Sequence, residues 1–127
     1  MENQVLSIEQ MKYLQELGVD TSKASCYWWY AEGKNYLYWG KCSDVNGIPT
    51  FTLQDMLEMM PKTILFKDET YHFEMLKGNE RYTICYSRVN DDNEFENYIV
   101  ITESNILTCI YETLCWLVRN KYIGGKK

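Results

Sequence analysis

Apolar residues recur at helical spacing in three stretches of the chain. The first covers residues 8–17. Ser7 and Gln10 before and within it have the spacing of a capping box, and Gly18 after it suits the left-handed residue that commonly ends a helix. The pattern therefore predicts an amphipathic helix over residues 8–17.

Two further helices are predicted on the same grounds. Thr52 and Asp55 have capping spacing ahead of a short apolar repeat over residues 53–60. The longest repeat runs over residues 105–120, with Ser104 as its predicted cap. Its predicted buried face comprises Ile106, Ile110, Leu114, Leu117 and Val118.

Strand signals fill the remaining segments. Two aromatic runs, 26–30 and 36–39, flank a turn at Glu32-Gly33-Lys34 and predict a β-hairpin. Residues 43–49 are rich in turn formers and are predicted as a loop. Later strands are predicted at 70–77, 81–88 and 98–102, with a short piece at 63–66.

These elements predict one α+β domain over residues 1–127. Short connections between successive strands favour an antiparallel sheet, here of about five strands, packed in two layers against two or three helices. A single domain suits a chain of this length. The tail at 124–127 is expected to be frayed.

Composition and charge disfavour several classes of partner and ligand. The formal net charge of −5 makes nucleic acid an unfavoured partner, because an acidic domain repels phosphate backbones. The chain shows neither a secretory leader nor a membrane-length apolar run, so a cytoplasmic protein with no membrane partner is expected. Five cysteines without metal-ligand spacing are expected to be reduced and mostly buried, and neither a metal nor a cofactor is predicted.

Catalytic motifs are absent from the sequence. His72 is the only histidine, and a dyad with Cys85 would require the register of two neighbouring strands to bring them together. A structural histidine is the simpler interpretation. A small enzyme with a site around His72 and a cysteine therefore remains the alternative, and no catalytic residue is assigned.

The aromatic hairpin is the unusual feature. If Trp28, Tyr30, Leu37 and Trp39 face the core, the outward residues are those on the other strand face. Exposed Trp and Tyr dominate protein interfaces, so this outward face is a candidate binding surface for a protein partner or a second copy. Coverage of both hairpin faces by the rest of the protein is the competing interpretation. The candidate binding residues are Tyr27, Trp29, Tyr36 and Tyr38.

Three segments resemble a family of small uncharacterised proteins encoded by gut anaerobic bacteria, often in prophage-like or other mobile regions. They are residues 6–25, residues 48–62 and Leu114-Cys115-Trp116-Leu117. The shared motifs are helix caps and apolar faces, so the resemblance implies no activity. It implies a small intracellular accessory protein of mobile-element origin. The sequence thus favours a non-enzymatic interaction protein and indicates no small-molecule ligand.

Overall fold

A computed structural model describes residues 4–41 and 47–123 of the chain, and these form three helices and seven strands. The helices are α1 (Ile8–Glu16), α2 (Leu53–Met59) and α3 (Ile106–Arg119). The strands are β1 (Cys26–Ala31), β2 (Lys34–Trp39), β3 (Ile48–Thr50), β4 (Thr63–Phe66), β5 (Glu69–Lys77), β6 (Tyr82–Val89) and β7 (Phe95–Glu103).

The strands form two antiparallel sheets, and the prediction of a single sheet of about five strands is wrong in this respect. The first sheet has the order β2-β1-β3, and the second is a meander in the order β4-β5-β6-β7. The fold class, α+β with antiparallel sheets, is confirmed. The predicted frayed tail at 124–127 lies outside the described residues.

Strand β3 is the element that the sequence analysis missed. It occupies the end of the predicted loop at 43–49, where it pairs Ile48 with Trp28 and Thr50 with Cys26. Residues 42–46 lie outside the described ranges. Three residues are too few to show a period of two, and Pro49 argues against a strand unless the strand lies at an edge, as β3 does.

Local capping explains where the helices begin. Both predicted capping boxes are confirmed, at Ser7 with Gln10 and at Thr52 with Asp55. Gly18 follows α1 with a φ of 90°, which glycine adopts without strain. The cap of α3 is Asn105 and not Ser104, because the Asn105 side chain accepts from the second and third helical amides, at 2.8 and 3.1 Å.

The core lies between α3 and one face of the four-stranded sheet. Seven residues of α3 are buried, and they include all the predicted face except Ile106, which is partly buried. The facing sheet buries Ile64, Tyr71, Ile84 and Tyr86. Burial of each large side chain stabilises the fold by about 1.5–3 kcal/mol, so this layer contributes most to stability. None of the described helices is long and apolar enough to span a membrane.

Leu6 joins the three-stranded sheet to this core. Its side chain is fully buried, and its carbonyl accepts hydrogen bonds from the Trp28 indole at 2.9 Å and from the Thr50 hydroxyl at 2.7 Å. Its amide donates to the carbonyl of Phe51 at 3.1 Å. These hydrogen bonds hold the hairpin from the face that carries Trp28.

Asp55 is the second link. One carboxylate oxygen accepts from the Ser25 hydroxyl at 2.6 Å, and the other accepts from the backbone amides of Ser25 and Thr52 at 2.9 and 3.0 Å. The same residue thus caps α2 and anchors the chain just before β1. Hydrogen bonds to a charged acceptor are among the stronger ones in proteins.

We expect Asp55→Ala to lower the free energy of unfolding by about 2–3 kcal/mol, because it removes a helix cap and the anchor of β1 together. Urea denaturation measures this change. The matched control is Glu58→Ala, an exposed acid one turn further along α2 whose side chain accepts a hydrogen bond from Gln54. Its expected effect is below about 0.5 kcal/mol. Equal losses in the two variants would contradict the anchoring role.

Candidate functional site

The hairpin register places the four candidate binding residues on one face of the sheet. Glu32 and Gly33 form the turn with φ values of 53° and 78°, and β1 pairs with β2 from Cys26↔Trp39 to Ala31↔Lys34. Cross-strand partners share a face. The partners Tyr27↔Tyr38 and Trp29↔Tyr36 therefore form one surface, called here the aromatic face.

The aromatic face is open to solvent to differing degrees. Tyr38 and Tyr36 are 46% and 39% exposed, whereas Tyr27 and Trp29 are half-buried. Tyr27 and Tyr38 stack across the strands with ring centroids 5.5 Å apart and an interplanar angle of 23°. The stack fixes the positions of the two rings relative to each other.

The opposite face of the hairpin only partly meets the core. Trp28 and Leu37 are half-buried there, and the Trp28 indole is held by Leu6. Tyr30 and Trp39, however, are 65% and 63% exposed, so the expectation that they face the core is wrong. Both lie at the ends of their strands, and the strand face therefore extends beyond the area that the core covers.

The strand register does not bring His72 opposite Cys85. His72 pairs with Ser87, and Cys85 pairs with Glu74, two positions further along β5. His72 is exposed, whereas the Cys85 residue is buried. Burial, followed by the charge of Glu74, raises the pKa of the Cys85 thiol. The thiolate that a nucleophile requires is thus disfavoured here.

The other described cysteines are also buried and have raised thiol pKa values. Cys26, Cys109 and Cys115 are free and buried, and burial is the main cause that raises the pKa of each thiol. The expectation of reduced, buried thiols is confirmed for these residues and Cys85. Cys42 lies outside the described ranges.

We expect Cys85 to react slowly with iodoacetamide at pH 7.5 in the folded protein, and at the same rate in His72→Gln, because its thiol is protonated and His72 does not lie opposite it. Mass spectrometry of the labelled peptides gives the rate for each cysteine. Protein labelled in urea supplies the rate of a free thiol. A Cys85 rate that falls tenfold in the variant would instead indicate a dyad.

A cleft of about 860 Å³ lies beside Trp39, on the other side of the hairpin from the aromatic face. Residues of α2, the start of α3, Tyr82 and the segment before α1 complete its wall. The charged residues among those that line it are both acids, Asp55 and Glu58. The cleft is of the size that small-molecule sites have, and its charge and exposed indole suit a cationic group.

Sequence reasoning missed the cleft because its wall is assembled from residues far apart in the chain. Its members run from Gln4 to Leu107, and the local motifs among them are the caps of α2 and α3. Neither His72 nor a cysteine lines it. Among residues 4–41 and 47–123, no three His, Cys, Asp or Glu side chains come together as metal ligands.

Comparison with known proteins adds no assignment. No family model matches the sequence, and no curated protein or solved structure is significantly similar to it.

Proposed function

We propose that this protein is a non-enzymatic interaction protein that binds a protein partner through the aromatic face. The observation that carries the proposal is the partly exposed aromatic surface of Tyr27, Trp29, Tyr36 and Tyr38 on one side of the hairpin. A small domain normally turns such rings inward. These rings are left at the surface although their backbone is held firmly from the other side.

The chemistry of the face suits a protein partner. Tyrosine and tryptophan supply a large contact area at a low cost in conformational entropy, and their polar groups form hydrogen bonds at the rim. The Tyr27–Tyr38 stack is already formed, so little ordering is required on binding. Strand β2 lies at the edge of its sheet, so a partner can approach Tyr36 and Tyr38 from the side as well as from above.

The enzymatic alternative has less support. It would require a pocket at His72, but His72 is exposed on a strand and the cleft lies elsewhere. Our proposal also includes a cytoplasmic setting and a mobile-element origin. Both rest on the family resemblance, and the partner would then be a protein of the host cell or of the element.

We expect a photo-crosslinking residue, p-benzoylphenylalanine, to capture a partner in the source cell from position 38 but not from position 30. Tyr38 lies on the aromatic face, whereas Tyr30 is a more exposed tyrosine on the opposite face of the same hairpin. The two positions therefore provide a matched pair. Mass spectrometry identifies the crosslinked protein.

The partner is then purified and its affinity measured by titration calorimetry. Tyr38→Ala should weaken binding by about 30-fold or more, as expected for an aromatic hot spot, and Tyr30→Ala by less than about threefold. Equal effects of the two substitutions, or equal crosslinking from the two positions, would remove the aromatic face from the proposal.

The cleft supports a second candidate function, the binding of a small organic cation. Glu58 and Asp55 supply negative charge, and Trp39 is the largest exposed ring at the wall. The backbone N–H groups at the start of α3 disfavour a cation only weakly, because the Asn105 side chain already accepts hydrogen bonds from two of them. A quaternary ammonium over an indole is a favourable arrangement.

Choline serves as the probe, with its uncharged isostere 3,3-dimethylbutan-1-ol as the control. We expect choline at millimolar concentration to shift the Trp39 indole N–H signal in a ¹⁵N spectrum, because the cation lies over that ring. The alcohol should shift it far less, and Glu58→Gln should reduce the shift. Equal shifts by choline and the alcohol would contradict a cation site.

A further inference from the structure

Strand β7 is an open edge of the four-stranded sheet, since no described strand pairs with it on the side away from β6. It has nine residues, whereas β4 at the opposite edge has four. A bulge at Tyr98 interrupts its pairing with β6. Residues 99–103 after the bulge are regularly paired, so their outer side offers backbone hydrogen-bonding groups to a further strand.

Contacts of the Cys109 thiol show which backbone groups of β7 point outward. Its Sγ donates to the carbonyl oxygens of Ile101 and Tyr82, at 3.3 and 3.5 Å. One sulfur can reach both oxygens only if they point toward each other, because carbonyls directed outward from neighbouring strands would be separated by both strands. Ile101 therefore bonds to β6, and by alternation Val100 and Thr102 direct their N–H and C=O groups to the open edge.

A groove of about 340 Å³ lies beside this edge, on the side of the sheet that α3 covers. Strand β7 contributes Ile99 and Ile101 to it, and α3 contributes Tyr111, Cys115 and Trp116. Both isoleucines pair with buried core residues of β6, so they lie on the α3 side of the sheet. A strand added to β7 would therefore place every second side chain in this groove.

The two ends of the groove carry opposite charge. At one end, Glu112 of α3 lies beside Glu103, the last residue of β7, and burial followed by this neighbouring carboxylate raises the pKa of Glu112. Helix α3 runs back along β7 from there, since Trp116 packs against Tyr98 with ring centroids 5.5 Å apart. Arg119, one helical turn further on, therefore lies toward the other end.

These charges are not matched within the described part of the chain. None of Glu103, Glu112 and Arg119 forms an ion pair there. Arg119 donates a hydrogen bond to a neutral acceptor, the Tyr13 hydroxyl, at 3.2 Å. The groove is thus complementary to a ligand that brings a cation to the two carboxylates and a carboxylate to the guanidinium.

We propose that the edge of β7 binds an extended segment of a partner protein as an antiparallel fifth strand, with a basic residue beside Glu103 and Glu112 and an acidic residue beside Arg119. Strand addition at a free edge is a common mode of peptide recognition, and antiparallel pairing is slightly more stable per residue than parallel pairing. A second copy of this chain is a poorer occupant, because the net charge of −5 repels it at long range. This inference is independent of the aromatic face.

The strand register defines a probe, the pentapeptide Lys-Thr-Val-Thr-Glu with acetylated and amidated ends. Its lysine lies opposite Glu103, its valine opposite Ile101 and its glutamate opposite Ile99, so these three side chains enter the groove. Its two threonines exchange backbone hydrogen bonds with Thr102 and Val100.

Titration of the ¹⁵N-labelled full chain with this peptide tests the proposal. We expect saturating shifts of the Val100 and Thr102 amide signals, with a Kd below about 1 mM. N-methylation of both peptide threonines should weaken binding by about tenfold or more, because it removes the two donors that face β7. N-methylation of the valine alone is the matched control and should weaken binding less than about threefold, since its N–H points away from β7.

Charge exchange tests the two ends of the groove. Arg119→Glu should weaken binding of the peptide by about fivefold, and replacement of the peptide glutamate by lysine should restore it. Replacement of the peptide lysine by glutamate should weaken binding to the wild type by about fivefold, and Glu112→Lys should remove that difference. The control Lys67→Glu makes the same change in net charge as Arg119→Glu, at the turn between β4 and β5, and should leave the affinity unchanged.

The proposal is wrong if the Val100 and Thr102 signals do not shift, or if methylation of the valine weakens binding as much as methylation of the threonines. Equal losses in Lys67→Glu and Arg119→Glu would also contradict it. Loss of peptide binding in Tyr38→Ala would overturn it, because the peptide would then occupy the aromatic face. So would a dimer in sedimentation that the peptide dissociates, because a second copy would then fill the edge.

Discussion

Burial of α3 against one face of the four-stranded sheet is the constraint on which the rest of this structure depends. It is the only long helix among the described residues, and more than half of the residues buried in the core cluster come from it or from the four-stranded sheet that it faces. One helix of 14 residues is about 21 Å long and can cover one sheet face. The two shorter helices, α1 and α2, are used to close the core and to hold the hairpin. The three described helices are therefore too few to cover every face of the two sheets.

Two open faces follow from this shortage, and their chemistry differs. The hairpin presents stacked rings with phenol groups, whereas the side of the four-stranded sheet away from α3 presents mainly aliphatic and hydroxyl side chains. Rings with polar groups suit varied partners, since each can form both apolar contacts and hydrogen bonds. The aromatic face is therefore the one whose composition suits a protein partner.

Local signals in the sequence were sufficient for the helices but not for the site. The capping boxes at Ser7 and Thr52 and the left-handed Gly18 depend on residues within four positions of each other, so a reading of the sequence identifies them. Strand β3, the separation of His72 from Cys85 and the cleft at Trp39 depend on pairings between distant segments. The alternation of β1 and β2 correctly grouped Tyr27, Trp29, Tyr36 and Tyr38 on one face, yet it could not show that the core ends before Tyr30 and Trp39. The helices that pack on a sheet face determine how much of it is buried, and the sequence of the strands does not indicate where those helices lie.

Exposed apolar faces carry a risk of aggregation, and the distribution of polar groups limits it. The net charge of −5 repels other copies at long range, whereas the side of the four-stranded sheet away from α3 is nearly uncharged. At the two edges of this sheet, the short strand β4 offers few backbone groups to a growing sheet, whereas β7 has nine residues. Long-range repulsion between acidic copies therefore opposes open-ended association before the apolar faces come into contact. A partner without excess negative charge does not meet this barrier, and this difference separates a binding surface from an aggregation site.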